Sequence, residues 1–318
     1  MVSPTLLWRS LGLVLVLALV AGCGSTPLTT TDVSAEQNSS AVPPATAVTS
    51  PAEMSTPPPS SATEMSTASA GGLEQRPVVY AIPQMDQVSV RRDLTYKKTN
   101  NGDLKMDVYY PADLPPDARL PAVLFVHGGP AMMGGNWQNS SWKESEYYRS
   151  WGELIAASGM IAVTANLPQY DFTALVKHVR SDAAALQIDQ DRLCTFGMSY
   201  GAGLLVTKAM DGFPDYLRCI VAYYGYASLT NAWFRVRRGQ VEPARMRPIL
   251  VVAGAKDEYG SGVASEQFVK EATAKGLPVE LLIHPSGVHF FEAYNDDDQS
   301  REIIKKTIAF LQEHLQAQ

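Results

Sequence analysis

Two kinds of apolar pattern alternate along the chain. Residues 121–126, 160–165, 193–196, 219–224, 249–253 and 279–283 form short, almost wholly apolar runs. Their length and continuity predict strands buried on both faces. Between them, apolar residues recur three and four positions apart. Residues 142–157 carry Tyr147, Trp151, Leu154 and Ile155 on one face, with Gly159 to end the helix. Residues 172–186 repeat the pattern with Leu175, Val176, Val179, Ala183 and Leu186, and further helices are predicted over 202–210, 265–274 and 299–315. Upstream, strands at 88–98 and 104–110 flank Asn100-Asn101-Gly102-Asp103, a tight-turn signal that predicts an antiparallel hairpin. A hairpin followed by repeated strand and helix units predicts an α/β fold: a mostly parallel central sheet, an N-terminal antiparallel hairpin, and helices on both faces.

The pattern does not hold before residue 77. Arg9 precedes an apolar run over 11–20, about half the ~20 residues a membrane-spanning helix needs, so residues 1–22 are expected to be a cleavable export signal. That signal ends in Leu19-Val20-Ala21-Gly22-Cys23, which resembles the lipobox of bacterial lipoproteins. The resemblance implies lipidation at Cys23, and hence an exported protein anchored to a bacterial membrane and facing the periplasm or cell exterior. Residues 23–76 are dominated by Thr, Ser, Pro and Ala, including Pro57-Pro58-Pro59. Too little apolar surface is available there to offset the entropy of ordering, so a disordered tether is expected, with a reach on the order of 40 Å. Residues 77–318 form the expected folded domain.

Composition narrows the partners. Of 318 residues, 26 are basic and 32 acidic, a net charge of −6, and no long basic block is present, which argues against nucleic acid. Beyond Cys23, only Cys194 and Cys219 remain, and both fall in apolar strand runs. They are expected to be buried, unbridged thiols, although neighbouring strands in an oxidising compartment could join them.

The chemistry centres on Gly197-Met198-Ser199-Tyr200-Gly201, a G-x-S-x-G between a predicted strand and a predicted helix. A serine hydroxyl needs a base, a group that orients the base, and donors for an oxyanion. The order His127-Gly128-Gly129, then Ser199, then Asp257 after a buried strand, then His289 after the next, resembles the α/β-hydrolase superfamily, in particular its dienelactone hydrolase, esterase and prolyl-oligopeptidase-like branches. The likeness runs from about Leu94 to Leu315. It implies Ser199 as nucleophile, His289 as base and Asp257 as the acid that holds it, with Glu258 as competitor. It also implies oxyanion donors at the Tyr200 N–H and at Gly128 or Gly129, since Pro130 has no N–H. The run Asp296-Asp297-Asp298 reads as a solvated helix start.

No metal-ligand spacing and no dinucleotide fingerprint is present, so neither metal nor cofactor is expected. Arg235, Arg237, Arg238, Arg245 and Arg247 cluster after the 219–224 run, with Trp233 and Phe234 beside them. They could bind an anionic substrate group or form a solvated basic face. The expected function is a carboxylesterase-like serine hydrolase acting on a small ester or acyl substrate. The alternatives are a prolyl-oligopeptidase-like peptidase and a noncatalytic surface binding module.

Overall fold

The computed structural model describes residues 72–128, 142–167, 172–225 and 227–316. The expected signal, Cys23, most of the expected tether, Gly129 and Pro130 lie outside the described residues. No helix among the described residues is long and apolar enough to cross a membrane.

The hairpin forms as expected, with β1 (Ser89–Lys97) antiparallel to β2 (Leu104–Tyr110). The apolar runs become β3 (Leu120–Val126), β4 (Ile161–Ala165), β5 (Ile188–Met198), β6 (Leu217–Tyr223), β7 (Ile249–Gly254) and β8 (Val279–His284). Together they build an eight-stranded sheet in the order β1-β2-β4-β3-β5-β6-β7-β8. β2 pairs antiparallel with β4, and every later pairing is parallel.

The continuous apolar runs follow from two-sided burial. Along β3, Ala122, Leu124 and Val126 face one core, whereas Val123 and Phe125 face the other. The first core is covered by α2 (Phe172–Ser181), α3 (Tyr200–Ala209), α4 (Ala227–Arg237) and α5 (Ser261–Ala274). The second is covered by α1 (Glu146–Ala157), the short α6 (Phe291–Tyr294) and α7 (Asp298–Leu315).

Four local expectations change. The first helix starts at Glu146, not Trp142, because Ser145 accepts the Tyr148 N–H as its cap and residues Trp142–Glu144 form a separate 3-10 turn. α2 stops at Ser181. Ala183 and Leu186 remain buried, but in a turn that reaches β5 through Gln187 at φ 56°. α5 begins four residues earlier than expected, after Gly260 at φ 75°. α4 was not expected at all, although Leu229, Ala232, Trp233 and Val236 have helical spacing and pack on the core.

The cysteines are also corrected. Cys194 of β5 lies directly opposite Cys219 of β6, at a Cα separation of 4.8 Å, and the two form a disulfide. Apolar surroundings alone had suggested free thiols. The parallel register decides otherwise, since it brings the two residues within bridging distance.

An ion cluster around a buried lysine ties the hairpin to the start of the α1 region. The Lys143 ammonium is 2% exposed and lies 2.8 Å from Asp93 and 3.1 Å from buried Asp107. Burial would lower the Lys143 pKa, but these carboxylates hold it above the ordinary value.

Candidate active site

Parallel strands place their C-terminal ends along one edge of a sheet. The connections from β3 leave toward β4 on one side and return past it to β5 on the other, which opens a crevice between β3 and β5. Gly128 follows β3 and Ser199 follows β5 at that crevice. Asp257 follows β7 and His289 follows β8 on the same edge.

Ser199 occupies the turn between β5 and α3 at φ 54° and ψ −121°, a strained conformation for a residue with a side chain. Its N–H bonds the Tyr223 carbonyl at 2.9 Å, which holds the turn to β6. The flanking glycines are required by space. A Cβ at Gly197 would come 2.6 Å from the Ala202 Cα, and one at Gly201 would run into the Val126 carbonyl oxygen.

His289 Nε2 lies 3.1 Å from Ser199 Oγ, and its Nδ1 lies 2.8 Å from Asp257 Oδ2. Asp257 is nearly buried and accepts two further bonds, from the Tyr259 N–H at 2.9 Å and from the Ser261 hydroxyl. Burial alone would raise its pKa, but the bonds from His289, Ser261 and Tyr259 outweigh it and hold the carboxyl below the usual range. Glu258 takes a different place, with its carboxylate 3.4 Å from the His289 backbone nitrogen. The imidazole sits among aromatic rings: Tyr224, Phe290 and Tyr259 have centroids 4.5, 4.6 and 4.8 Å away.

Tyr200 is the first residue of α3, where backbone N–H groups point out of the helix start. Gly128 presses on the same turn, since a Cβ there would lie 2.7 Å from the Ser199 Cβ. Of the two glycines considered as donors, only Gly128 is among the described residues.

His127 secures this loop. The Leu167 N–H donates to its Nε2 at 3.0 Å, which leaves the proton on Nδ1 to bond the Gly128 carbonyl at 2.6 Å. Burial pushes the His127 pKa down to about 4, against a weaker upward pull from the Gly128 carbonyl. As pH falls below the ordinary value of 6.5, the unfolded chain therefore takes up this proton before the folded one does. The stability involved is intact above that value and lost toward pH 4, by about 3 kcal/mol. Urea unfolding of the wild type is expected to show this slope, and His127→Asn, already less stable, should show about 3 kcal/mol less change over the same window. Equal slopes in the two proteins would refute the assignment.

Other expected residues lie elsewhere. Arg235 pairs with Asp211 at 2.7 Å and Arg247 with Asp215 at 3.2 Å, while Arg237 and Arg238 stack on Trp233 and Phe234. These groups lie at the end of α4 and the entry to β7, the sheet edge opposite Ser199, so the basic-face reading fits and the anionic-substrate reading does not. Asp297 caps α7 through the Ser300 N–H and pairs with His284 at 3.0 Å. A cavity of about 660 Å³ opens between α2 and α3 over Leu124 and Thr195, but it includes none of Ser199, Asp257 and His289. Among the described residues, no group of three or more His, Cys, Asp or Glu could hold a metal.

Three residues near the site were missed in the sequence: Ser261, Tyr224 and Glu292. Glu292 carried a visible signal, an acid set between Phe291 and Ala293 in an apolar stretch. Its side chain is fully buried.

The Dienelactone hydrolase family matches residues 131–315. Dipeptidyl-peptidase 4 of Giardia intestinalis is 24% identical over 234 residues, covering 57% of this chain and 29% of that protein, so the chain spans under a third of this relative's length. Among solved structures, a thermophilic esterase from Thermogutta terrifontis superposes with a TM-score of 0.52 at 21% identity, covering 73% of this chain and 94% of that one. A thermostable esterase from Pseudomonas putida gives a TM-score of 0.53 at 17% identity, covering 74% and 85%. At these identities the structural likeness speaks for the fold, which is that of the α/β-hydrolases.

Proposed function

Because the chain belongs to the dienelactone hydrolase family, we propose that it is a serine hydrolase that cleaves small carboxylic esters through an acyl-enzyme on Ser199. The observation that carries this reading is the continuous line from Asp257 through His289 to Ser199, with separations of 2.8 and 3.1 Å, at a strained strand-to-helix turn.

Ser199 Oγ attacks the ester carbonyl while His289 Nε2 takes its proton. Asp257 keeps the other imidazole proton on Nδ1 and stabilises the imidazolium. The carbonyl oxygen becomes an oxyanion that accepts from the Tyr200 N–H and from Gly128 or Gly129. His289 then protonates the leaving alcohol as the carbon–oxygen bond breaks. Water, deprotonated by the same histidine, attacks the acyl-enzyme and frees the acid and Ser199.

The peptidase reading is supported by the Giardia relative, of which this chain covers 29%. Anchoring through Cys23 in an exported protein is part of the proposal, supported by the residues around that cysteine and by the buried disulfide, which persists in oxidising compartments.

One experiment tests both parts. In cells, a fluorophosphonate probe is expected to label the protein on the peptide that contains Ser199, in the membrane fraction. Cys23→Ser should abolish incorporation of a labelled fatty acid into the protein. Absence of label on folded protein would support the binding module instead, and faster turnover of dipeptide than of acetate esters would support the peptidase.

A further inference from the structure

The proposed chemistry makes no use of Glu292, yet that side chain is fully buried three residues beyond His289. Its Oε1 accepts from the Tyr147 hydroxyl and from the Tyr224 hydroxyl at 2.7 Å, and the two phenols touch each other at 2.8 Å. Oε2 has no hydrogen-bond partner among the described residues. A carboxylate so placed is costly to bury unless hydrogen bonds and opposite charge nearby offset the desolvation.

A chain of contacts leads from it to His289. Tyr224 holds Glu292 with its hydroxyl and packs its ring on the imidazole of His289, at 4.5 Å between centroids. Phe290 joins the cluster, packing on His289 at 4.6 Å, Tyr224 at 4.9 Å and Tyr147 at 5.4 Å. The backbone is held in left-handed conformations at Tyr224, φ 43°, and at Phe290, φ 59°, so this packing is maintained against local strain.

We propose that Glu292 is a positioning residue for His289: with Tyr147 it fixes the Tyr224 ring against the imidazole, and its buried carboxylate favours the imidazolium that forms when Ser199 gives up its proton. The proposal rests on the reading of Ser199 and His289 as nucleophile and base. Asp257 acts on the imidazole from the Nδ1 side, and Glu292 acts through Tyr224.

The ionisable surroundings are few. Tyr147 and Tyr148 come from α1, Tyr223 and Tyr224 from the end of β6, and Asp257, Glu258 and Tyr259 from the turn after β7. His284, paired with Asp297, packs on Phe291, while Arg76 and Lys305 stack on Tyr294 and Tyr80. Burial holds the Glu292 pKa above the ordinary carboxylate value, while the bonds from the two phenols and the charge on His289 act against it. The backbone of Glu292 has a separate structural task, accepting the Val79 N–H at 2.8 Å, and that contact survives any change of side chain.

The test is the pH dependence of kcat/KM with an activated ester for wild type, Glu292→Gln, Glu292→Asp and Tyr224→Phe. Removing the carboxylate charge favours the neutral base, so the acid limb in Glu292→Gln should move to lower pH, by about half a unit to one unit. Its kcat should fall about tenfold with KM within about twofold, as for a group that acts on the transition state. Glu292→Asp retains the charge and should keep the limb near the wild-type position. Tyr224→Phe keeps the ring and should shift the limb in the same direction as Glu292→Gln, by less. A folded Glu292→Gln with the wild-type limb and kcat overturns the proposal. If that variant does not fold, an unshifted limb in Tyr224→Phe overturns it. Fluorophosphonate labelling of the same wild-type preparation separates the two ideas: no label at Ser199 fails the hydrolase reading, whereas label with unmoved limbs fails this one alone.

Discussion

Ser199→Ala is expected to lower kcat toward an activated ester by about 10⁴- to 10⁶-fold, with KM within a few-fold of wild type. The size follows from the site. Ser199 Oγ is the atom within 3.1 Å of the base, and alanine leaves no group there to form the acyl-enzyme. Residual catalysis would come from the oxyanion donors and from substrate binding, which keep roughly 10³- to 10⁴-fold over water when such a nucleophile is lost. The fold should be unaffected, because alanine keeps the Cβ and the Ser199 backbone bond to Tyr223 does not involve the hydroxyl. Steady-state kinetics with a melting curve on the same sample decide the matter. Turnover above about 1% of wild type would place the chemistry elsewhere.

The second large effect is at Asp257. Asp257→Asn is expected to lower kcat by about 10⁴-fold, because an amide N–H facing Nδ1 turns the imidazole into the wrong tautomer, with its proton on Nε2 where it must receive one. Glu258→Gln should stay within about fivefold, since that side chain reaches only the His289 backbone nitrogen, at 3.4 Å. The pair of variants thus separates two adjacent carboxylates by three orders of magnitude or more. Comparable losses in both would mean that the turn after β7 presents either acid to the histidine.

Much of the fold could be read from the sequence because two-sided burial leaves a simple mark, an uninterrupted apolar run. Each such run became a strand, and the residues at their C-terminal ends met on one edge: Ser199, Asp257 and His289 come together from three separate turns. What escaped notice depended on contacts between distant segments. α4 was not legible because arginines and polar residues interrupt the apolar spacing of Leu229, Ala232 and Val236, which only packing on the core reveals. The cysteine bridge required the register of β5 against β6, which no local pattern carries. Glu292 was hidden for a similar reason. Its partners, Tyr147 and Tyr224, lie 145 and 68 positions away in the chain.

The disulfide has a consequence for how the proposed nucleophile is held. It joins Cys194 to Cys219 across a separation of 25 residues, and Ser199 and the whole of α3 lie between them. The reactive turn is thus part of a covalent macrocycle, closed between β6 and β5, the strand that leads into the bend. In the chain-entropy view a loop of that length stabilises the fold by about 3–4 kcal/mol. It also means that a protease cutting once anywhere between these cysteines would open the ring without dividing the molecule, leaving both halves of the sheet, and the serine, on a single connected piece.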